Sequence, residues 1–382
     1  MANKSFKIKN GLNVQRVTQD AASISAANID LAAGNFFTKT LSGDITVTFS
    51  NPPASGKATG FMLAITGGGG AGVGGSSYDS KLDDYSGQTS AGRGIAWKPD
   101  GTRYYLASEG TATYRRVYQY NLSTAWDIST ASYSNQGNIS SQASAAKGLA
   151  FKPDGTKMYV ACDDNNDIFQ YSLSTPWSIS TISYDNKFAY IGDREANVTD
   201  VTFKPDGTKM FIIGKGGDEI NEYSLSTAWD VSTASYTRVK SVSSQTTLPE
   251  GFDFNSDGTE LIVAGDDSPS TIYSYTLSTA YDISTLVFND SFDASGVVNN
   301  GDLRGVVYGN NDTKFYTTDN QDDEINQFTV SGAASTITWP SSVKWPDGFT
   351  PVKPGIGSVR TYTLVTADGG TTYYGKVSGD PA

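Results

Sequence analysis

The sequence contains no histidine and a single cysteine, Cys162, and only 18% of its 382 residues are charged. Without histidine there is no Ser-His or Cys-His triad, and the usual neutral-pH general base is missing. One cysteine excludes an intramolecular disulfide framework, and no Cys/His zinc cluster can be assembled. Basic residues number 28 against 40 acidic ones, a net charge of −12. That balance offers no basic face for a phosphate backbone, so nucleic acid is not an expected partner. Long apolar runs are absent too. The most apolar stretch, 60–66, dissolves into glycines and is too short to cross a bilayer. Lys4, Lys7 and Lys9 are not followed by the apolar segment of a signal peptide. A soluble protein without membrane insertion is the expectation.

What the chain does hold is Gly (40), Tyr (22) and Phe (17), with abundant Ser and Thr. Such a composition suits many short strands and turns. Internal repeats then define the architecture. A block built on K-P-D-G-T-K occurs at 97–103, 151–157 and 203–209, and weakens at 254–260 and 308–314. Its aligned threonines are Thr102, Thr156, Thr208, Thr259 and Thr313, spaced 54, 52, 51 and 54 residues apart. A second block, Y-x-L-S-T-x-[WY]-x-[IV]-S-T, follows at 120–130, 171–181, 223–233 and 275–285. The fifth unit keeps only 325–330.

Each unit holds four short strand candidates; in the second they are 148–151, 158–161, 168–172 and about 182–188. In the P-D-G-T turn, Pro occupies a permitted turn position and Gly the one where positive φ is expected. Four strands per fifty-odd residues match a propeller blade. Ser77-Tyr78-Asp79-Ser80-Lys81 is similar to Ser183-Tyr184-Asp185-Asn186-Lys187, a fourth strand, whereas the fifth unit stops after three. The reading is an all-β protein with a five-bladed propeller of four strands per blade, closed by the N-terminal strand of the region. Strand candidates outside it lie at 45–49 and 61–65 on one side and at 337–339, 362–365 and 373–377 on the other. Neither flank suffices for a core alone; together they predict one β-sandwich into which the propeller is inserted. The boundaries expected are 1–34 for an N-terminal assembly or anchor segment, 35–70 and 333–382 for the sandwich halves, and 71–332 for the propeller. The tracts 67–75 and 331–334 would be its flexible stalks.

The flanks carry a resemblance. Leu41-Ser42-Gly43-Asp44-Ile45-Thr46-Val47-Thr48-Phe49-Ser50-Asn51-Pro52-Pro53 resembles the start of a β-sandwich module of marine (cyanophage-type) bacteriophage virion proteins. Ile337 to Pro346 and Thr371-Thr372-Tyr373-Tyr374-Gly375 resemble its second half, and Lys4 to Leu12 is similar to the start of tail-fibre-like proteins. The resemblance implies a virion structural protein, made in the host cytoplasm and located in the virion. It would be a tail-fibre or appendage subunit displaying the propeller for host-surface glycan or protein contact. Its partners would be other virion proteins and its own copies, a trimer. The alternatives are a capsid or tail decoration protein with a passive propeller and, third, a glycan-degrading spike. No enzyme activity is expected on this reading.

Candidate site residues follow from register. Nine positions before each aligned threonine stand Arg93, Lys147, Thr199, Glu250 and Arg304, expected to ring the channel mouth. Three cations on a chain of net −12 could hold an acidic sugar or phosphate; the bland reading is that they pair with Glu250, Asp200 or loop carboxylates. The loops Asp163 to Asp167 and Asp319 to Asp323 are oxygen-rich enough for calcium, but lack the twelve-residue loop with its terminal Glu. Turn chemistry explains them equally, so no cofactor and no metal site is assigned. A glycosidase would need paired acids on inner strands. Asp200 and Asp253 stand there, but no acidic trio does, and no catalytic residue is assigned. Tyr120, Tyr171, Tyr223 and Tyr275, with Trp126, Trp177 and Trp229, recur at equivalent places and read as packing.

Overall fold

The structure, a computed structural model, describes residues 22–23, 28–40, 45–66, 72–110, 115–299, 301–330, 337–346, 351 and 359–378. The expected anchor segment lies mostly outside these residues. So do Lys4 to Leu12, Leu41 to Asp44, Gly67 to Gly70 and Ser331 to Ala334 of the resemblance and the stalks. The chain divides into two compact units, Gly70–Ala334 and the pair Met1–Gly69 with Ser335–Ala382.

Gly70–Ala334 forms five four-stranded antiparallel sheets. Blade 1 comprises Gly92–Trp97, Arg103–Ser108, Arg116–Leu122 and Ala131–Asn138. Blade 2 comprises Ala146–Phe151, Lys157–Cys162, Asp167–Leu173 and Ile182–Tyr190, each reaching up to two residues beyond the range read from sequence. Blade 3 follows at Val198–Phe203, Lys209–Gly214, Glu219–Leu225 and Ala234–Ser241, and blade 4 at Pro249–Phe254, Glu260–Gly265, Thr271–Leu277 and Leu286–Asp293. Blade 5 has Leu303–Gly309, Lys314–Asp319 and Glu324–Thr329, and its outer strand is Ser77–Asp84, with Tyr78 opposite Phe328. The first strands of the blades touch in cyclic order, so the five sheets form a ring. Among the described residues of this unit, helical structure is limited to four short 3-10 turns, at Ile128–Thr130, Ile179–Thr181, Val231–Thr233 and Ile283–Thr285.

The core is divided among the seams between blades. Tyr105, Ala107 and Val117 of blade 1 pack on Leu149, Met158 and Val160 of blade 2, and four further clusters fill the other seams. The two repeated sequence blocks meet here. Gly101, Gly155, Gly207 and Gly258 adopt positive φ in the P-D-G-T-type turns. A Cβ on any of them would lie 2.2–2.3 Å from the ring of Trp126, Trp177, Trp229 or Tyr281. Those aromatics also take positive φ, and each donates its N–H to the glycine carbonyl at 3.0 Å. Their own carbonyls accept from the preceding blade: Tyr105 Oη to Trp177 O at 2.7 Å, Tyr159 Oη to Trp229 O at 2.8 Å and Tyr316 Oη to Trp126 O at 2.7 Å. The Gln119, Gln170 and Gln327 side chains accept from Ile179, Val231 and Ile128 N–H in the next blade at 3.0–3.2 Å. Turn, aromatic and neighbouring blade are therefore latched as one unit.

At the axis the first strands approach so closely that side chains have no room. A Cβ at Gly94 would lie 2.6 Å from Lys147 O, and one at Gly251 would lie 2.8 Å from Gly305 Cα. Asp200 occupies the equivalent place in blade 3 and turns its carboxylate onto the backbone, accepting from Val201 N at 2.8 Å and Phe252 N at 3.2 Å.

The second unit contains a six-stranded sheet in which Thr59–Thr66 pairs antiparallel with Val359–Thr366, bringing the two ends of the chain together. Phe37, Phe61, Leu63, Tyr362 and Leu364 centre its core. The strand expected over 45–49 is split. Ile45–Thr46 pairs with Ile337–Thr338 and Thr48–Ser50 with Asn28–Asp30, because Val47 between them turns inward to full burial.

Candidate active site

The second residue of every inner strand is one of the five singled out from register, Arg93, Lys147, Thr199, Glu250 and Arg304. The second strands end beside them, and the following residue in each blade is again polar: Glu109, Asp163, Lys215, Asp266 and Asn320, seven positions after the aligned threonine. This outer set went unnoticed in the sequence reading, although the same register exposes it.

The structure joins the two sets. Glu109 pairs with both Arg93 and Lys147, and Lys215 with Glu250. Arg304 pairs with Asp266 and reaches Glu250 at 3.2 Å and Asp302 at 3.6 Å. Thr199 stands apart from the ion pairs and donates its hydroxyl to Pro249 O at 2.9 Å. Across both sets, Arg93, Lys147, Lys215 and Arg304 face Glu109, Asp163, Glu250 and Asp266. The mouth is thus balanced in charge rather than cationic. Glu250 is 3% exposed and Arg304 13%, so these pairs are much drier than surface salt bridges.

Dry surroundings shift the titrations. Burial, reinforced by Arg93, pulls the Lys147 ammonium down to about 8. Burial also pushes the Asp266 carboxyl up to about 6, against the stabilising Arg304 guanidinium. The Arg93 and Arg304 Nε atoms are buried without a hydrogen-bond partner. The two groups belong to separate networks, Arg93–Glu109–Lys147 and Lys215–Glu250–Arg304–Asp266, and groups tuned toward neutrality are candidates for proton transfer where histidine is absent.

The other polar candidates resolve differently. Asp319 turns its carboxylate to backbone amides, accepting from Gln321 N at 2.8 Å, Asp322 N at 3.2 Å and Asn299 N at 3.3 Å. Among the described residues no three His, Cys, Asp or Glu side chains converge as a metal ion would need. Asp200 and Asp253 do not face the mouth. They line a cavity at the opposite end, beside Pro153 and Pro205 of the repeated turns. Cys162 is fully buried in a blade seam.

Residues 116–281 match the family described as lactonase, 7-bladed beta-propeller. The match spans less than half of the chain, and the ring here has five blades. No curated protein matches the chain. Similar solved structures include a protein of Bacteroides uniformis described as a 6-phosphogluconolactonase, at 12% identity and TM-score 0.39, covering 62% of this chain and 65% of that one. The periplasmic gluconolactonase of Pseudomonas aeruginosa is similar at 14% identity and TM-score 0.35, covering 55% of this chain and 58% of that one. The chain therefore spans under two thirds of the length of these two proteins. A luciferin-regenerating enzyme is similar at 13% identity and TM-score 0.41, covering 69% and 98%.

The family match overturns the virion reading. The repeats resemble an enzyme family's propeller, so the expectations of a phage structural protein, tail fibre or decoration, of a non-enzyme and of a virion location are corrected. The resemblance rested on short flank motifs outside the matched region. Motifs such as those at 45–49 and 337–339 specify strand pairing, which many β proteins share.

Proposed function

We propose that the propeller hydrolyses a lactone at its channel mouth. The observation that carries this is the dry cluster of Arg93, Lys147, Glu250 and Arg304 with Glu109, Lys215 and Asp266, in which Asp266 and Lys147 titrate on either side of neutrality. The partial match to a lactonase family supports it. Ring opening needs a water oxygen to attack the acyl carbon, the ring C–O bond to break and the ring oxygen to gain a proton. Asp266 is ionised above about pH 6 and can take the water's proton; Lys147 is protonated below about pH 8 and can give one to the leaving oxygen. The guanidinium groups of Arg93 and Arg304 are suited to the developing oxyanion or to an acidic group on the substrate. Thr199 offers a hydroxyl at the same depth.

The test is a pH-stat assay of the purified protein on aldonolactones with and without a phosphate. Turnover above the spontaneous rate is expected, with limbs near pH 6 and 8, and Asp266→Asn should lower kcat/KM by about 100-fold or more. A wild-type rate equal to the uncatalysed one, or an unchanged Asp266→Asn, would sink the proposal. We also propose that Ser77–Asp84 closes the ring, on the support of its pairing with Glu324–Thr329, and that the other unit is a β-sandwich interrupted by the propeller, on the support of the sheet shared by the two chain ends.

A further inference from the structure

The end of the ring opposite the mouth holds two cavities. One of about 180 Å³ is lined by Asp200, Asp253, Phe203 and Trp229, and a second of about 330 Å³ by Asp253, Asp312, Trp126 and Tyr308. They share Trp97, Asp253 and Val307 as a common wall. No lysine or arginine lines either cavity among the described residues. The lysines of the flanking turns, Lys98, Lys152 and Lys204, are paired with Asp100, Asp154 and Asp206 of their own turns.

The two carboxylates of the first cavity, Asp200 and Asp253, differ in exposure. Both Asp200 oxygens accept from backbone amides, so that side chain is spent on the fold. Asp253 accepts from Tyr308 N at 3.0 Å and from the backbone of Phe254 but, unlike Asp200, keeps partial exposure to the cavity. Burial, which no cation offsets, raises its carboxyl to about 7. A carboxylate facing a space walled by indole and phenyl rings, with no positive side chain to balance it, is complementary to one ligand charge.

We infer that the first of these cavities is a binding site for an organic ammonium ion with apolar substituents, its charge at Asp253 and its alkyl groups against Trp97, Phe203 and Trp229. Nothing in this inference depends on lactone chemistry at the mouth. An apolar guest would leave Asp253 desolvated and unpaired, and an anion would add a second negative charge. A strongly hydrated inorganic cation would gain nothing from aromatic walls.

The probe is tetramethylammonium chloride, titrated into the full chain at constant ionic strength set with sodium chloride, and followed by calorimetry and tryptophan fluorescence. Saturable binding is expected, absent for the neutral analogue tert-butanol and weakened about tenfold or more in Asp253→Asn. Val307→Phe, which narrows the common wall without touching a charge, should weaken it as well and serves should Asp253→Asn fail to fold. No saturable binding, equal binding of the alcohol, or unchanged binding in either variant overturns the inference.

Discussion

Asp253 makes the stability of the propeller depend on pH in a calculable way. Its carboxyl titrates at about 7 in the folded chain, against 3.8 for an ordinary aspartate, chiefly because burial disfavours its charge. Between about pH 4 and 7 the folded protein holds a proton that the unfolded chain has released. Stability therefore falls as pH rises through that window and levels off above it. A shift of about three units at 1.36 kcal/mol each gives about 4 kcal/mol, and partial access of Asp253 to cavity water brings the expected range to about 2–4 kcal/mol. Asp253→Asn removes the ionisation while keeping an oxygen for Tyr308 N. The variant and the wild type should be about equally stable at pH 4, and the variant more stable by about 2–4 kcal/mol at pH 8. Urea unfolding read by tryptophan fluorescence measures this, since Trp97, Trp126, Trp177 and Trp229 all lie in the propeller. Asp200 and Asp266 titrate upward as well, but both are common to the two proteins and leave the difference to Asp253. A difference that does not change with pH, or a variant less stable at pH 8, refutes the reasoning.

Two further substitutions probe the axis and the mouth. In Gly148→Ala the new methyl would lie 2.5 Å from Asp200 Oδ1 and 2.6 Å from its Cα, so the backbone must give way; a loss of about 1–3 kcal/mol in chemical denaturation is expected. Arg304→Met strands the buried Asp266 and leaves Glu250 with Lys215 alone, and should cost about 3–5 kcal/mol, of which adding Asp266→Asn should restore at least about 1 kcal/mol in a double-mutant cycle.

The propeller was legible because its repeats carry their own register. The glycine of the turn and the aromatic some 22–25 residues later recur together since one packs on the other, and the spacing of the threonines counts the blades. The same register placed Arg93, Lys147, Thr199, Glu250 and Arg304 on one level. It could not show that Glu109 serves two cations, because that contact joins one blade's second strand to the next blade's first. Glu109, Asp163, Lys215, Asp266 and Asn320 were available to the same alignment, but their sign changes from blade to blade hide the pattern. In the other unit the strands are short and partly parallel, so turn signals did not mark where Val47 would divide one from the next. The activity class was misread because motifs in that unit were weighed above the repeats.

The latch between each turn aromatic and the preceding blade has an evolutionary corollary. Three of the seams present a tyrosine hydroxyl to a carbonyl and a glutamine to an amide in the same geometry. A duplicated blade would therefore meet the same hydroxyl and amide partners on both sides at once. What resists such change is the crowded centre, where glycines set for five strands would leave a hole around a sixth.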